Sequence, residues 1–137
     1  MAHTHDGAHD LTRNQSLVLE TLNAQPSPLS AYDILDRLRG AGLRAPLQVY
    51  RALDKLVAMG LAHRLESLNA FVACADAQCH RKGLIGFAIC ENCGRVDEFA
   101  DEVIETQLGT WADRTGFSIK QTTMEIRGRC ALCREAA

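Results

Sequence analysis

Up to about residue 60, apolar positions recur at the spacing of amphipathic helices. After Leu11-Thr12-Arg13-Asn14, the residues Leu17, Val18, Leu19 and Leu22 share one helical face, and Pro26 and Pro28 end the segment. Ser30 suits the cap of a second helix. Asp33 stands at its third position, a carboxylate variant of the capping box. Ala31, Ile34, Leu35 and Leu38 supply the apolar face, and Gly40 and Gly42 stop the helix. The pattern predicts a third helix over 46–59, with Pro46 in its first turn, Gly60 at its end, and Val49, Leu53, Leu56 and Val57 facing inward.

The period then changes. Residues 61–66 and 70–74 have the look of two short strands, with Ser67-Leu68-Asn69 as the turn. Three helices followed by a hairpin is the order of a winged helix-turn-helix, in which the third helix enters the major groove and the hairpin is the wing. A polar connector follows. The second half mixes strand and helix: strands over 85–90 and 95–99, a helix over 100–115 with Val103, Ile104, Leu108, Trp111 and Ala112 on one side, and an imperfectly alternating strand over 117–126. The expected fold class is α+β. A flexible tail (1–10) would precede a winged-helix domain (11–75), a connector (76–83) and a small α/β domain (84–137).

The cysteines add chemistry to this outline. Cys90-Glu91-Asn92-Cys93 and Cys130-Ala131-Leu132-Cys133 are two C-x2-C pairs flanking the small α/β domain. Two residues between cysteines form a tight knuckle, and two knuckles close a four-sulfur tetrahedral shell, the usual structural zinc site. Such an ion would pin the last strand of the domain to its first. The bland alternatives are two disulfides or buried free thiols. A redox motif needs one pair only and a reactive thiolate, and neither pair precedes a clear helix start.

Composition narrows the setting. The chain has 137 residues, of which 47% are hydrophobic, so each half alone has a thin core that a metal or partner chain would support. No stretch approaches the apolar length of a membrane span. The start, Met1-Ala2-His3-Thr4-His5-Asp6, is polar and unlike a signal peptide. With six cysteines, this points to a reducing cytoplasm where thiols bind metal. His3, His5 and His9 mark either a disordered tail or a weak metal-collecting one. A net charge of −2 and a pI near 6.2 weigh mildly against nucleic acid, although a local basic face suffices for binding.

Four segments together resemble the ferric uptake regulator superfamily of metal-sensing repressors, most closely its zinc uptake branch. They are Ser30-Ala31-Tyr32-Asp33-Ile34-Leu35, Val49-Tyr50-Arg51-Ala52-Leu53, the run His63-Arg64-Leu65-Glu66-Ser67-Leu68-Asn69-Ala70-Phe71-Val72-Ala73-Cys74, and Ile89-Cys90-Glu91-Asn92-Cys93-Gly94-Arg95-Val96. The resemblance spans roughly residues 11–135. It implies a non-enzymatic repressor with a winged-helix DNA-binding domain, a C-terminal dimerisation domain and a regulatory zinc site at the hinge. The implied partner is an AT-rich palindromic operator of zinc-uptake genes, bound by a homodimer with two Zn2+ per subunit, one structural and one regulatory.

The resemblance also implies the regulatory ligands. His63 and Cys74 match the wing positions, and Glu98 matches the carboxylate of the dimerisation domain. The family's connector histidine falls near Gly83 here, so the available donors are Cys79 and His80, with His80 favoured by residue type. One thiolate, two imidazoles and a carboxylate suit tetrahedral zinc. Without the resemblance, His63 reads as a wing residue near phosphate, Cys74 as a buried thiol and Glu98 as half of a solvated pair with Asp97.

For DNA, Tyr50 and Arg51 lie on the groove-entering helix, where Arg suits guanine O6 and N7. Tyr32, Arg13, Arg44, Lys55 and Arg64 are candidate backbone contacts. Leu47-Gln48 replace a Pro-Thr pair common in relatives. Rival readings are an iron, manganese or peroxide sensor of the same family, a C-x2-C redox protein, and a zinc-stapled adaptor. The connector ambiguity yields a test: His80→Ala should weaken the regulatory zinc by about 10-fold or more and Cys79→Ser less. X-ray absorption should find one sulfur in that shell, whereas two would transfer the role to Cys79.

Overall fold

The computed structural model describes residues 10–74 and 83–136, so His3, His5, His9, Cys79 and His80 lie outside the described residues. The chain divides into two compact units, Met1–Cys74 and Ala75–Ala137.

The first unit runs α1 (Arg13–Asn23), α2 (Ala31–Leu38), a 3-10 turn (Arg39–Ala41), α3 (Pro46–Ala58), β1 (Ala62–Leu65) and β2 (Ala70–Ala73). Its helices begin where side chains satisfy their open N–H groups. Thr12 accepts from the Gln15 backbone while the Gln15 side chain accepts from the Thr12 backbone. Ser30 and Asp33 make the same reciprocal pair, as their spacing predicts. At α3 the N-cap is Ala45, which has no such group. The Gln48 side chain replaces it, its Oε1 accepting from the backbone N–H of both Arg44 (2.8 Å) and Ala45 (3.1 Å).

The apolar faces of the helices meet in one core built from Val18, Leu22, Ile34, Leu35, Leu38, Leu43, Val49, Leu53 and Leu56, all buried, with Phe71 closing it from the hairpin. Val57 is the exception to the expected inward face of α3. It is exposed, and Ala52 takes the buried position. The hairpin is antiparallel, with His63 opposite Val72, and Asn69 turns it at a φ of 50°, a region that asparagine tolerates well. A bridge that periodicity did not signal joins Leu29 to Phe71 through two backbone hydrogen bonds, of 3.0 and 2.8 Å. It ties the entrance of α2 to the wing.

The second unit runs β3 (Leu84–Cys90), β4 (Val96–Phe99), α4 (Glu102–Thr115), β5 (Thr122–Gly128) and α5 (Ala131–Ala136). Its sheet has the order β4-β3-β5. β4 returns antiparallel along β3. β5 is parallel to β3, and the chain between them provides the long crossover that a parallel pair requires. The central strand is buried along nearly its whole length, and Leu84, Ile85, Phe87 and Ile89 are its apolar anchors. Gly86 pairs with Phe99, whose ring occupies the space a Cβ would need there.

Three expectations change in this unit. The last strand starts at Thr122, so residues 117–121 are not part of it. Gly116 ends α4 in the left-handed region, and Phe117 folds back to pack against Trp111 in a tilted arrangement at a 5.3 Å ring distance. Of the apolar side of α4 only Ala112 is buried; Val103 and Trp111 are exposed. Finally, the second cysteine pair opens a helix, α5, which corrects the expectation that neither pair does.

Candidate metal centre and nucleic-acid interface

The β3–β5 register places Cys90 opposite Gly128. Because the two strands are parallel, both reach the same edge of the sheet together, and each then runs into a knuckle. Cys90, the last residue of β3, donates its N–H to the Arg95 carbonyl, and Gly94 donates to the Cys90 carbonyl, both at 2.9 Å. That tight return requires a φ of 82° at Gly94, where glycine carries no steric penalty. Glu91 N–H donates to the Gly128 carbonyl at 2.8 Å, so the first knuckle is fastened to the end of β5. Two residues further, Cys130 begins the second knuckle.

The sulfurs of Cys90, Cys93, Cys130 and Cys133 all lie within 4.8 Å of one another, and all four cysteines are free thiols. Disulfides are thereby replaced by a convergent donor set, and only Cys90 is buried, which excludes a cluster of inert core thiols. Cys93 and Cys130 stand 3.8 Å apart, against an expected edge of about 3.8 Å for a tetrahedron built on Zn–S bonds of about 2.3 Å. The donor set and its spacing fit zinc.

The surroundings act in opposite directions on Cys90 and Cys133. Backbone N–H groups of Cys130, Cys93 and Asn92 aimed at its sulfur hold the Cys90 thiol at about 6, against the opposing effect of burial. At Cys133, hydrogen bonding from Asn92 lowers the thiol, but hydrogen bonding of the thiol to Cys130, Cys90 and Cys93, together with burial, outweighs it and raises the thiol to about 11. The Asn92 amide lies 3.2 Å from Cys133 Sγ, a hydrogen bond between knuckles. This residue was not singled out by spacing; the signal was a side-chain amide inside the first C-x2-C loop.

Of the hinge ligands implied by resemblance, two belong to the first unit. His63 on β1 and Cys74 just beyond β2 bring their donor atoms within 4.8 Å of each other, and Cys74 N–H donates to the Leu61 carbonyl at 2.9 Å. Cys74 is disulfide-bonded, so it would offer a metal its thiolate only once reduced. Glu98 belongs to the second unit, half-buried on β4 opposite Phe87.

On α3, Arg51 and Lys55 are exposed, and Tyr50 packs part of its ring against the core. Arg44 is exposed just ahead of the helix, and Tyr32 projects from α2 with 60% of its surface accessible. Arg13 and Arg64 are exposed as well, and each also makes contacts inside the unit. The Arg13 guanidinium donates to the Ala41 carbonyl at 2.7 Å, which holds the 3-10 turn against α1. Arg64 donates to Asn69 at 3.1 Å, pairs with Glu66 at 3.7 Å and lies over the Phe71 ring, so it braces the wing.

A winged helix-turn-helix joined in one chain to an α/β unit with a four-cysteine metal centre defines a metal-binding winged-helix protein. The chain belongs to the ferric uptake regulator family, whose model matches residues 8–127. It is 39% identical over 128 residues to the zinc uptake regulation protein of Escherichia coli (strain K12), covering 91% of this chain and 73% of that protein. Among solved structures it is similar to a zinc uptake regulator complexed with zinc and DNA, with a TM-score of 0.85 and 38% identity over 93% of this chain and 85% of the other. It is also similar to holo XcZur, with a TM-score of 0.81 and 40% identity over 93% and 87% of the two chains.

The four-cysteine centre has a direct test. Cys90→Ser or Cys130→Ser should lose the bound zinc and the stability of the second unit together, because binding energy at such a site is folding energy. Zinc content and thermal unfolding check this. A Cys90→Ser protein with unchanged melting behaviour would overturn the structural role.

Proposed function

We propose that this protein is a zinc-responsive, DNA-binding transcriptional repressor of zinc-uptake genes that acts as a homodimer and has no enzymatic role. The observation that carries the reading is a free, convergent four-cysteine centre and an exposed recognition helix in one chain that is 39% identical to a zinc uptake regulator.

Two zinc ions per subunit are proposed. Cys90, Cys93, Cys130 and Cys133 would hold the structural one. His63, reduced Cys74, Glu98 and a connector donor, His80 or Cys79, would hold the regulatory one. Bound zinc supplies a closed cross-link at the first site and a reversible one at the second. The thiolate favours zinc over the harder metals of related sensors by its softness. The regulatory ligands come from both halves of the sequence. One ion shared by them therefore restrains both halves, and it favours the arrangement it binds best in proportion to its differential affinity.

The apolar surface of the second unit supports a dimer. Val103, Trp111, Phe117 and Ile126 are all large, apolar and exposed, and burial against a second copy would remove them from water. A twofold dimer presents two copies of α3, which suits a palindromic, AT-rich operator. Within each half-site Arg51 would read a base, while Arg44 and Lys55 would face phosphates.

A gel shift on an AT-rich palindromic promoter with zinc titrated in tests the whole reading; DNA binding indifferent to zinc would defeat it. Two variants separate its parts. His63→Ala or Cys74→Ser should abolish zinc-dependent DNA binding while the structural zinc and the dimer persist, as metal analysis and sedimentation would report. If either variant still responds to added zinc, the regulatory ligands are misassigned. Arg51→Ala should cost about 1–3 kcal/mol and relax discrimination at one base pair per half-site. Affinities over single-base operator variants at fixed salt check this. A uniform loss across them would make Arg51 a backbone contact.

A further inference from the structure

The solvent stripe of α3 contains Leu47, Arg51, Asp54 and Ala58, residues three or four apart on one side of the helix and opposite the buried Val49, Ala52, Leu53 and Leu56. Leu47 is 57% exposed. A large aliphatic side chain displayed in the first turn of a helix, one turn from Arg51 and close in sequence to the exposed Arg44, contributes nothing to the core described above. The first turn is also the part of a recognition helix that reaches the base edges.

Its neighbour Gln48 has a different place. A glutamine reads adenine by donating from its amide nitrogen to N7 and accepting from the N6 amino group on its Oε1. Here Oε1 already accepts from two backbone N–H groups, at 2.8 and 3.1 Å, and a carbonyl oxygen has two lone pairs. The acceptor half of that readout is closed. Gln48 holds the start of the helix in place, and Leu47 is the side chain left facing outward.

We propose that Leu47 is a specificity-determining residue that reads thymine through its C5-methyl group, and that Gln48 positions the helix without reading a base. The major-groove edges present hydrogen-bonding groups at every base and one apolar group, the thymine methyl. An aliphatic side chain has nothing else there to recognise. This inference rests on the DNA-binding reading above. It adds a contact that contributes to a preference for A·T pairs at a defined position of each half-site, beside the base read by Arg51.

The test uses the full-length, zinc-loaded protein and duplexes that the wild type selects from a random-sequence pool. Each thymine is replaced singly by uracil, which removes the methyl and leaves every hydrogen-bonding group. One position per half-site should weaken wild-type binding by about fourfold, the worth of a buried methyl group. Leu47→Ala should bind the thymine duplex correspondingly less well and be indifferent to uracil at that position. Its zinc content and melting temperature should be those of wild type, since the side chain is exposed. Gln48→Ala should weaken all duplexes alike. Wild-type indifference to every thymine-to-uracil change overturns the proposal, as does full uracil sensitivity in Leu47→Ala. Loss confined to adenine variants in Gln48→Ala overturns the role given to that residue. Recovery of no DNA by the zinc-loaded wild type defeats the repressor reading itself, an outcome distinct from the others.

Discussion

The parallel pairing of β3 with β5 is the constraint on which the second unit depends. It joins residues separated by β4 and α4, so its closure costs loop entropy that a small sheet with a thin core does not easily offset. The four cysteines stand where that cost can be met. The register that sets Cys90 against Gly128 carries both strands into their knuckles at one edge, and Glu91 fastens the first knuckle to the end of the second strand. The metal centre is thus a continuation of the sheet. Its ligands come in two local pairs because each pair needs only a tight turn, while the tertiary pairing supplies the long-range half of the geometry.

The first unit solves its problem without metal. Three helices enclose one apolar core, and each begins at a point where side-chain atoms take up the free backbone donors. The capping of α3 by Gln48 links folding to recognition, since the acceptor that starts the helix is withdrawn from any base readout. Arg64 shows the same kind of commitment in the wing. Its hydrogen bond to Asn69, its pairing with Glu66 and its place over Phe71 make it a brace of the hairpin. Arg51, Leu47, Tyr32 and Arg64 all remain exposed on this unit.

Unequal burial distinguishes the two units. In the first, the helices share one extensive buried core although Tyr32, Leu47 and Val57 are exposed; in the second, α4 buries only Ala112, and Val103, Trp111, Phe117 and Ile126 remain at the surface. The contrast accords with a second unit that completes its packing against another copy.

Much of this was legible in the residue order because it is local. Helix spacing, the Ser30–Asp33 cap, Pro46, the hairpin turn and the two C-x2-C pairs each act within a few residues, so sequence alone determined the winged helix, the α+β class and the convergence of four cysteines. The Gln48 cap was legible in principle, as a glutamine three residues after the N-cap, but Ala45 at the cap position hid it. What the tertiary structure decided depends on neighbours far along the chain. Val57 and the apolar side of α4 have the right period for burial, yet periodicity states only which residues share a face. Whether that face is covered depends on what packs there. The Leu29–Phe71 bridge, the parallel register of β3 and β5, and the late start of the last strand at Thr122 belong to the same kind. Each is settled by backbone hydrogen bonds between distant segments, for which a single run of side chains carries no signal.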